Sequence, residues 1–557
     1  MIDHLLFLYL RTVLSRSWNE LMDATHQPAR MQANRLMDIL SRNRDTAFGR
    51  EHSFSIIRSL ADFRELVPVR PYEEFEPYIE RLQCGERQVL TKEEPEMFGR
   101  TSGTTSDPKF IPITPSFYEE FSKTQKMWQR KLLADHRRMA RGKILSVMSA
   151  EIEGYTECGI PYGAMSGHSY QLQYPLTQQM YAVPYEVMCL KDFEAKYYLV
   201  LRLALERNVT AIAALNPSTI VLLMKKVNLH ADELIRDIAD GSLRQDIDIP
   251  RRLRSHIEYA LRPNRRRARE LEALRRKDAL LKGSDLWGEL EVITTWQGGS
   301  AGFYISRLSE YFPEVPLRDM GLIATEAYCS IPLWSNTPRG LLAITGHFFE
   351  FFEVGEDGGR RGKPLGPEEV EIGREYYLVI TTSGGLYRYD IQDIVKVVDR
   401  FNRTPVIVFQ RKGGNTVSIT GEKLTETQVT EAVGRGAAAL AVPIDDFVLT
   451  LRLSEPPAYV LLVETPERNE RLLRNLLDRF ERELRLQNIE YAGKRDSQRL
   501  GHPSLCIVEN GCFEQCRKRR VESGAPDGQY KIARLMYNSE NLKLRIVSEI
   551  KSGGQAL

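Results

Sequence analysis

Residues 99–112 read GRTSGTTSDPKFIP. Hydroxyls stand at Thr101, Ser102, Thr104, Thr105 and Ser106, with Gly103 between them and Lys109 close behind. A glycine lets the backbone turn its N–H groups toward an anion, hydroxyls add donors, and a lysine adds a compact positive charge. That is chemistry for a phosphate, although the same residue types also build polar surface turns. Four further features follow in chain order. Gly298-Gly299-Ser300 forms a glycine turn after an apolar run, where a flat ligand can lie against backbone. The segment 324–328, ATEAY, puts Glu326 among small residues. The segment 387–393, YRYDIQD, puts acids ahead of another apolar run, and Lys531 lies in QYKIA near the end. Taken singly, Glu326 reads equally as a surface acid, Asp393 as a turn cap and Lys531 as a solvated lysine.

The elements that must position these residues follow from periodicity. Residues 1–95 alternate short helical patterns with prolines, and 115–142 has helical spacing. KILSVMSA (143–150) and VTAIAALNP (209–217) read as buried strands. PSTIVLLMKKV reads as a helix opened by Pro217, so the chain alternates β and α. LEVITTWQGGSAGFY (290–304) is a strand, a turn and a helix start, and VPLRDMGLIATEAYCSIPL (315–333) a strand and a tight loop. Period-2 runs over roughly 340–412, with a turn at Ser383-Gly384-Gly385, predict a small barrel or a second sheet. Beyond about residue 420 the pattern changes to strands near 445–453 and 458–463 and a long charged helix. The expected fold is α/β: a large N-terminal domain (1–420) with a sheet core and a small β-barrel-like part, and a smaller, mobile α+β C-terminal domain (421–557).

Bulk properties narrow the class. The 557 residues are 42% hydrophobic and 27% charged, with 77 basic and 75 acidic side chains, so nothing global calls for a nucleic acid partner. Residues 250–277 carry eleven Arg or Lys against three Glu. Leucines at 253, 261, 271 and 274 are interleaved, which predicts a solvated basic helix pair rather than an RNA-binding patch, whose binding would be strongly salt-dependent. Seven scattered cysteines do not make a disulfide framework, and Cys512 and Cys516 lack a second ligand pair for zinc. The run Leu5–Leu10 is too short to span a bilayer and is read as part of an amphipathic helix packed on the body. A cytoplasmic protein without a membrane span is expected.

The order of the five features resembles that of the acyl-adenylate-forming enzymes. SRNRDTAFGREHSF, VRPYEEFEPYIERL, TSGTTSDPKFIPIT, TTWQGGSAGFY, GLYRYDIQDIVKV, FQRKGGNTVSITGEKLTETQV and GAPDGQYKIARL together resemble one branch, the GH-three auxin-responsive family of acyl acid–amido synthetases. The likeness spans about residues 36–535. It departs from the family at Ser106, where a glycine is usual. The usual Tyr-Arg-X-Gly-Asp motif aligns with Tyr389, Asp390, Ile391, Gln392 and Asp393, leaving open whether Arg388 takes the displaced arginine's place. Leu322 falls where relatives place an adenine-stacking aromatic. These departures bear on substrate range and nucleotide affinity, not on the fold.

The resemblance implies that a carboxylic acid is activated with ATP and Mg²⁺ as acyl-AMP and passed to an amine, typically an amino acid. By the same resemblance Thr101, Ser102, Gly103, Thr104 and Thr105 would hold phosphates, assisted by Lys109. Gly298, Gly299 and Ser300 would line adenine, Asp393 would accept from the ribose hydroxyls, and Glu326 would hold the metal. Thr325 and Arg411 join the nucleotide-contacting set. Lys531 would act catalytically when the C-terminal domain closes about a hinge near Gly421–Lys423. Tyr118, Phe303 and Tyr328 are wall residues or packing. Two other readings stand beside this one: a ligase forming thioesters with coenzyme A or a carrier protein, and a degenerate, non-catalytic nucleotide or acyl binder.

Overall fold

A computed structural model of the protein describes residues 15–100, 109–173, 175–278, 280–355, 359–413, 416–417, 422, 424–454, 456–496, 500–522 and 532–551. The expected N-terminal helix around Leu5–Leu10 lies outside the described residues, which open with the helix Ser15–Ala24.

The β/α alternation builds a parallel sheet in sequential order: Lys143–Ser146, Val209–Ala213, Val292–Thr294 and Leu317–Arg318. Parallel strands need helical crossovers, and the helices Pro217–Leu229 and Gly302–Tyr311 supply two of them. Asn216 caps the first by accepting from the Ser218 N–H, with Pro217 at the opening position where its missing N–H costs nothing. The strand interiors are largely apolar because both faces are covered, and residues such as Val209, Ile212 and Ile293 are fully buried.

The period-2 runs form a second, antiparallel sheet of seven strands: Arg360–Leu365, Phe348–Val354, Glu375–Thr381, Tyr389–Phe401, Thr404–Lys412, Gly340–Leu342 and Ser330–Ile331. Of the barrel and the second sheet that the pattern allowed, the structure shows the sheet, with Arg360–Leu365 at one edge and Ser330–Ile331 at the other. A third, small sheet pairs Phe110–Ile113, Met97–Arg100, Pro161–Gly163 and Gly154–Tyr155.

The C-terminal part has its own sheet: Asp446–Arg452, Ala458–Glu464, Ser504–Val508 and Ile546–Lys551. Its two cores include Val433, Leu461, Leu476 and Phe480 in one, and Val448, Val460 and Phe513 in the other. The basic run folds as the helices Arg251–Ala260 and Arg265–Lys277. Leu261 and Leu271 are buried, while Arg254, Arg266, Arg267 and Arg275 pair with Glu258, Glu270 and Asp232. All seven cysteines are free.

Candidate active site

A cavity of about 750 Å³ opens where the carboxyl ends of the parallel strands face the antiparallel sheet. Ser146, Ala213 and Thr294 border it from the first sheet, and Tyr389–Asp393 and Phe409–Gly413 from the second. Carboxyl ends of parallel strands are a general place for ligands, because the chain must turn there and frees backbone groups. One arm is apolar, walled by Trp128, Leu132, Met139, Ile144, Met148 and Met165. Glu326, Asp390, Asp393, Arg411 and Lys412 also line the cavity.

Glu326 sits at the tip of a tight turn. Ile323 and Tyr328 bridge at its base, and Ala324 and Ala327 exchange backbone hydrogen bonds at 2.9 and 3.3 Å. The small residues let the turn close, and its tip borders the cavity with Thr325 and Glu326. Glu326 is 8% exposed, with the Tyr389 hydroxyl 3.4 Å from its Oε1. Burial raises its carboxyl above the ordinary value; Lys412 opposes the rise and Asp393 adds to it. Tyr328 stands in the core, its hydroxyl donating to the Met320 carbonyl at 2.7 Å, whereas Tyr118 borders the cavity.

Asp393, 2% exposed, faces Lys412 directly across the antiparallel ladder. The Lys412 Nζ lies 2.7 Å from Asp393 Oδ1 and donates to the Ile391 carbonyl at 3.0 Å. Burial alone would depress this lysine, but Asp393 and Glu326 more than offset it and hold its pKa above the ordinary value. Arg411, one residue earlier, also borders the cavity, but its guanidinium pairs with Glu375 at 2.6 Å. Lys109 borders the cavity as well, with its ammonium 4.9 Å from the centre of the Tyr72 ring and 3.8 Å from Glu73.

The strand carrying Asp393 has an irregularity. Val379 pairs with Asp390 but Leu378 pairs with Asp393, so Ile391 and Gln392 are extra residues. Gln392 holds φ +58°, the left-handed conformation that glycine adopts without cost. The family glycine replaced here thus has a conformational reason. Asp390 pairs with Arg360 at 3.1 Å, and burial raises its carboxyl in spite of that partner. Arg388 does not reach the cavity: it ion-pairs with Glu350 at 2.7 Å and donates to the carbonyls of Arg64 and Val67.

Gly298 borders the cavity, and a Cβ there would meet the Phe409 carbonyl at 3.2 Å. Gly299 has φ +58°, and its Cβ would come within 2.9 Å of the Phe409 ring. The glycine turn therefore packs directly on Phe409 with no room for side chains, and Trp296, Gly298 and Phe409 all border the cavity. Thr101–Thr105 and Lys531 lie outside the described residues, as do the Ser300 and Phe303 side chains and the hinge residues Gly421 and Lys423. Sequence reasoning missed Lys412, Trp296 and Phe409. Phe409 meets the glycine turn only through the folding of the second sheet, so its place beside Gly299 was not visible in the sequence.

A fold of this kind, a parallel and an antiparallel sheet enclosing one cavity beneath a C-terminal α+β unit, is seen in solved structures. The GH3.15 acyl acid amido synthetase matches with a TM-score of 0.85 and 24% identity, covering 96% of this chain and 97% of that one. The same holds for AtGH3.15 acyl acid amido synthetase in complex with 2,4-DB, at 0.85 and 23%, covering 97% of each chain. Among curated relatives, jasmonoyl–L-amino acid synthetase JAR6 of Nicotiana attenuata is 25% identical over 95% of this chain and 94% of its own. Indole-3-acetic acid-amido synthetase GH3.3 of Arabidopsis thaliana is 23% identical over 93% and 91%. The chain matches the GH3 family N-terminal domain over residues 17–317, the central domain over 340–412 and the C-terminal domain over 427–540. It belongs to the GH3 family.

Proposed function

We propose that this chain is an acyl-adenylate-forming ligase that activates a small carboxylic acid with ATP and joins it to an amine, in particular an amino acid. The observation that carries this is one cavity bordered both by apolar side chains and by the cluster of Glu326, Asp393 and Lys412. Relatives are named as a jasmonoyl–L-amino acid synthetase and an indole-3-acetic acid-amido synthetase. In the first half-reaction the acid's carboxylate oxygen attacks the α-phosphorus of ATP, the bond to the α–β bridging oxygen breaks, and pyrophosphate leaves. In the second the amine attacks the acyl carbon, loses a proton, and AMP departs with the electrons of the acyl–oxygen bond. Neither step needs a serine or cysteine nucleophile.

The residues divide the work by chemistry. The glycine turn at Gly298–Gly299 accepts the adenine ring and Asp393 the ribose hydroxyls. Thr101–Thr105 and Lys109 supply donors to the phosphates, and Thr325 and Arg411 border the nucleotide. Mg²⁺ takes few protein ligands, keeping water and phosphate oxygens around it, so one carboxylate, that of buried Glu326, suits it. Among the described residues no three His, Cys, Asp or Glu side chains cluster as a metal cage. When bound, the ion supplies charge neutralisation at the phosphates. Glu326, with its raised carboxyl, serves in the ionised form, which Lys412 favours. Lys531 approaches from a C-terminal lid (421–557) that closes on the adenylation domain (1–420). The apolar arm holds the acid's tail and excludes water from the acyl phosphate.

No helix among the described residues is long and apolar enough to cross a membrane, and the free cysteines suit a reducing cytoplasm. The test is ATP–pyrophosphate exchange with Mg²⁺ across aryl, indole, fatty and amino acids, followed by an acceptor scan with amino acids and coenzyme A. Exchange with one acid class, lost in Glu326→Ala and Lys531→Ala, supports the reading, and amide rather than thioester product supports the acceptor. Absence of exchange from folded, ATP-binding protein overturns it.

A further inference from the structure

We infer that Lys412 is a positioning residue of the nucleotide site: it fixes the Asp393 carboxylate, and the two extra residues before it, in the form that receives the ribose. The inference rests on the reading of Asp393 as the ribose acceptor. Three contacts carry it. Lys412 stands opposite Asp393 in the ladder, with Nζ 2.7 Å from Oδ1. The same Nζ donates to the carbonyl of Ile391, the first of the extra residues. The next residue, Gly413, donates its backbone N–H to the carbonyl of Gln392, the second. Side chain and backbone of 412–413 thus grip both residues of an irregularity that holds Gln392 at φ +58°.

The geometry gives the role to Lys412 rather than to its neighbours. Successive residues of a strand point to opposite sides, so only one of Arg411 and Lys412 can face Asp393. Arg411 is engaged by Glu375 on the neighbouring strand Glu375–Thr381. Lys109 lies over Tyr72. A buried aspartate beside another buried carboxylate would also be repelled from its place without a cation between them, and Glu326 borders the same cavity. A lysine suits the task because a compact ammonium can serve one carboxylate oxygen and one carbonyl at once.

The experiment is calorimetric titration of AMP and of 2′,3′-dideoxy-AMP, without metal, into the full-length protein and its variants. The wild type is expected to bind AMP at least tenfold more tightly than the dideoxy analogue, and Asp393→Asn to lose most of that ratio. In Lys412→Met the ratio is expected to fall below about threefold while dideoxy-AMP affinity changes little; Lys412→Arg is expected to recover part of it. A merely structural lysine would weaken both ligands together. Where Lys412→Met does not fold, Lys412→Gln carries the same test. A wild-type ratio in either neutral variant overturns the inference and leaves Asp393 in its role. No discrimination in the wild type removes Asp393 from the ribose, and the inference falls with it.

Discussion

Replacing Arg388 by Met separates a buried structural arginine from one that serves the nucleotide. Arg388 lies two residues before Asp390, which stands at the family arginine's position, and a place in the nucleotide site was open to it. The structure instead commits its guanidinium to the interior. Nε donates to Glu350 Oε2 at 2.7 Å and NH2 to Oε1 at 3.4 Å, while NH1 donates to the carbonyls of Val67 and Arg64 at 2.8 and 3.0 Å. Both side chains are almost wholly buried, at 5% and 1% exposure.

Arg388→Met keeps the aliphatic stem and removes the charge. Glu350 is then left with the Arg64 Nε, 2.9 Å away from a partly exposed side chain. Removing one partner of a buried ion pair costs about 3–5 kcal/mol, and leaving a buried carbonyl without its donor about 1–3 kcal/mol. These costs overlap, and Arg64 supplies part of the missing charge. A loss of about 3–4 kcal/mol is the expected result, read from urea unfolding of the purified protein. AMP affinity of the folded variant should stay within about twofold. Adding Glu350→Gln removes the stranded charge and should recover a measurable share of the loss, which a double-mutant cycle isolates. The reasoning is refuted if stability changes by less than about 1 kcal/mol while AMP affinity drops tenfold, for then Arg388 serves the nucleotide after all.

Two further perturbations bear on the frame around the site. His347 is fully buried, and burial lowers its pKa to about 3, with Arg35 adding to the effect. The unfolded chain takes up a proton below about 6.5 while the folded one stays neutral, so stability is lost as pH falls from there toward 3, by up to about 4 kcal/mol. His347→Gln should flatten that limb in urea titrations run between pH 7 and 4; an unchanged slope would show that other groups set it. At Gly99, a Cβ would come within 2.4 Å of Thr325 Cγ2, in the turn that carries Glu326. Gly99→Ala should therefore lower pyrophosphate exchange about tenfold through a displacement costing on the order of 1–3 kcal/mol. Thr325→Ser, which removes the obstructing methyl, should restore it; a double variant as slow as the single one would place the defect elsewhere.

Much of the fold was legible because it is written in period. The β/α alternation from residue 143 to 318 predicted the parallel sheet, and the period-2 runs predicted the antiparallel strands. Whether those strands closed into a barrel depends on which edges pair, and nothing in a strand's own residues states that. The small sheet formed by Met97–Arg100 and Pro161–Gly163 was not foreseen, since its strands are short and distant in sequence. The same limit explains the site. Glu326 and Asp393 were visible as acids in characteristic surroundings. Lys412 was not, because its meaning lies in its register opposite Asp393, and in sequence it is an ordinary cation beside an arginine that looked the better candidate.

The contacts between the C-terminal unit and the rest bear on how the cavity is closed. Ile532, next in sequence to Lys531, borders the cavity with Ala533, Glu426 and Thr427. The docking that brings them there is polar. Arg534 pairs with Asp446 and donates to the Tyr304 hydroxyl at 2.6 Å, and Tyr304 in turn donates to Asp446 at 2.9 Å. Arg307 donates to the Ile444 carbonyl, Lys225 pairs with Asp445, and Lys226 reaches both Glu194 and Glu514. Arg517, 8% exposed, donates to the hydroxyls of Tyr197 and Thr219 at 3.1 Å. Polar contacts of this kind fix an orientation through their geometry but exchange readily for water when the surfaces part, unlike a large apolar seam. On the proposed reading of the C-terminal unit as a lid, the docked arrangement is selected without being welded shut. That suits a cavity which must admit an acid and a nucleotide, exclude water while the acyl phosphate exists, and then open to an amine.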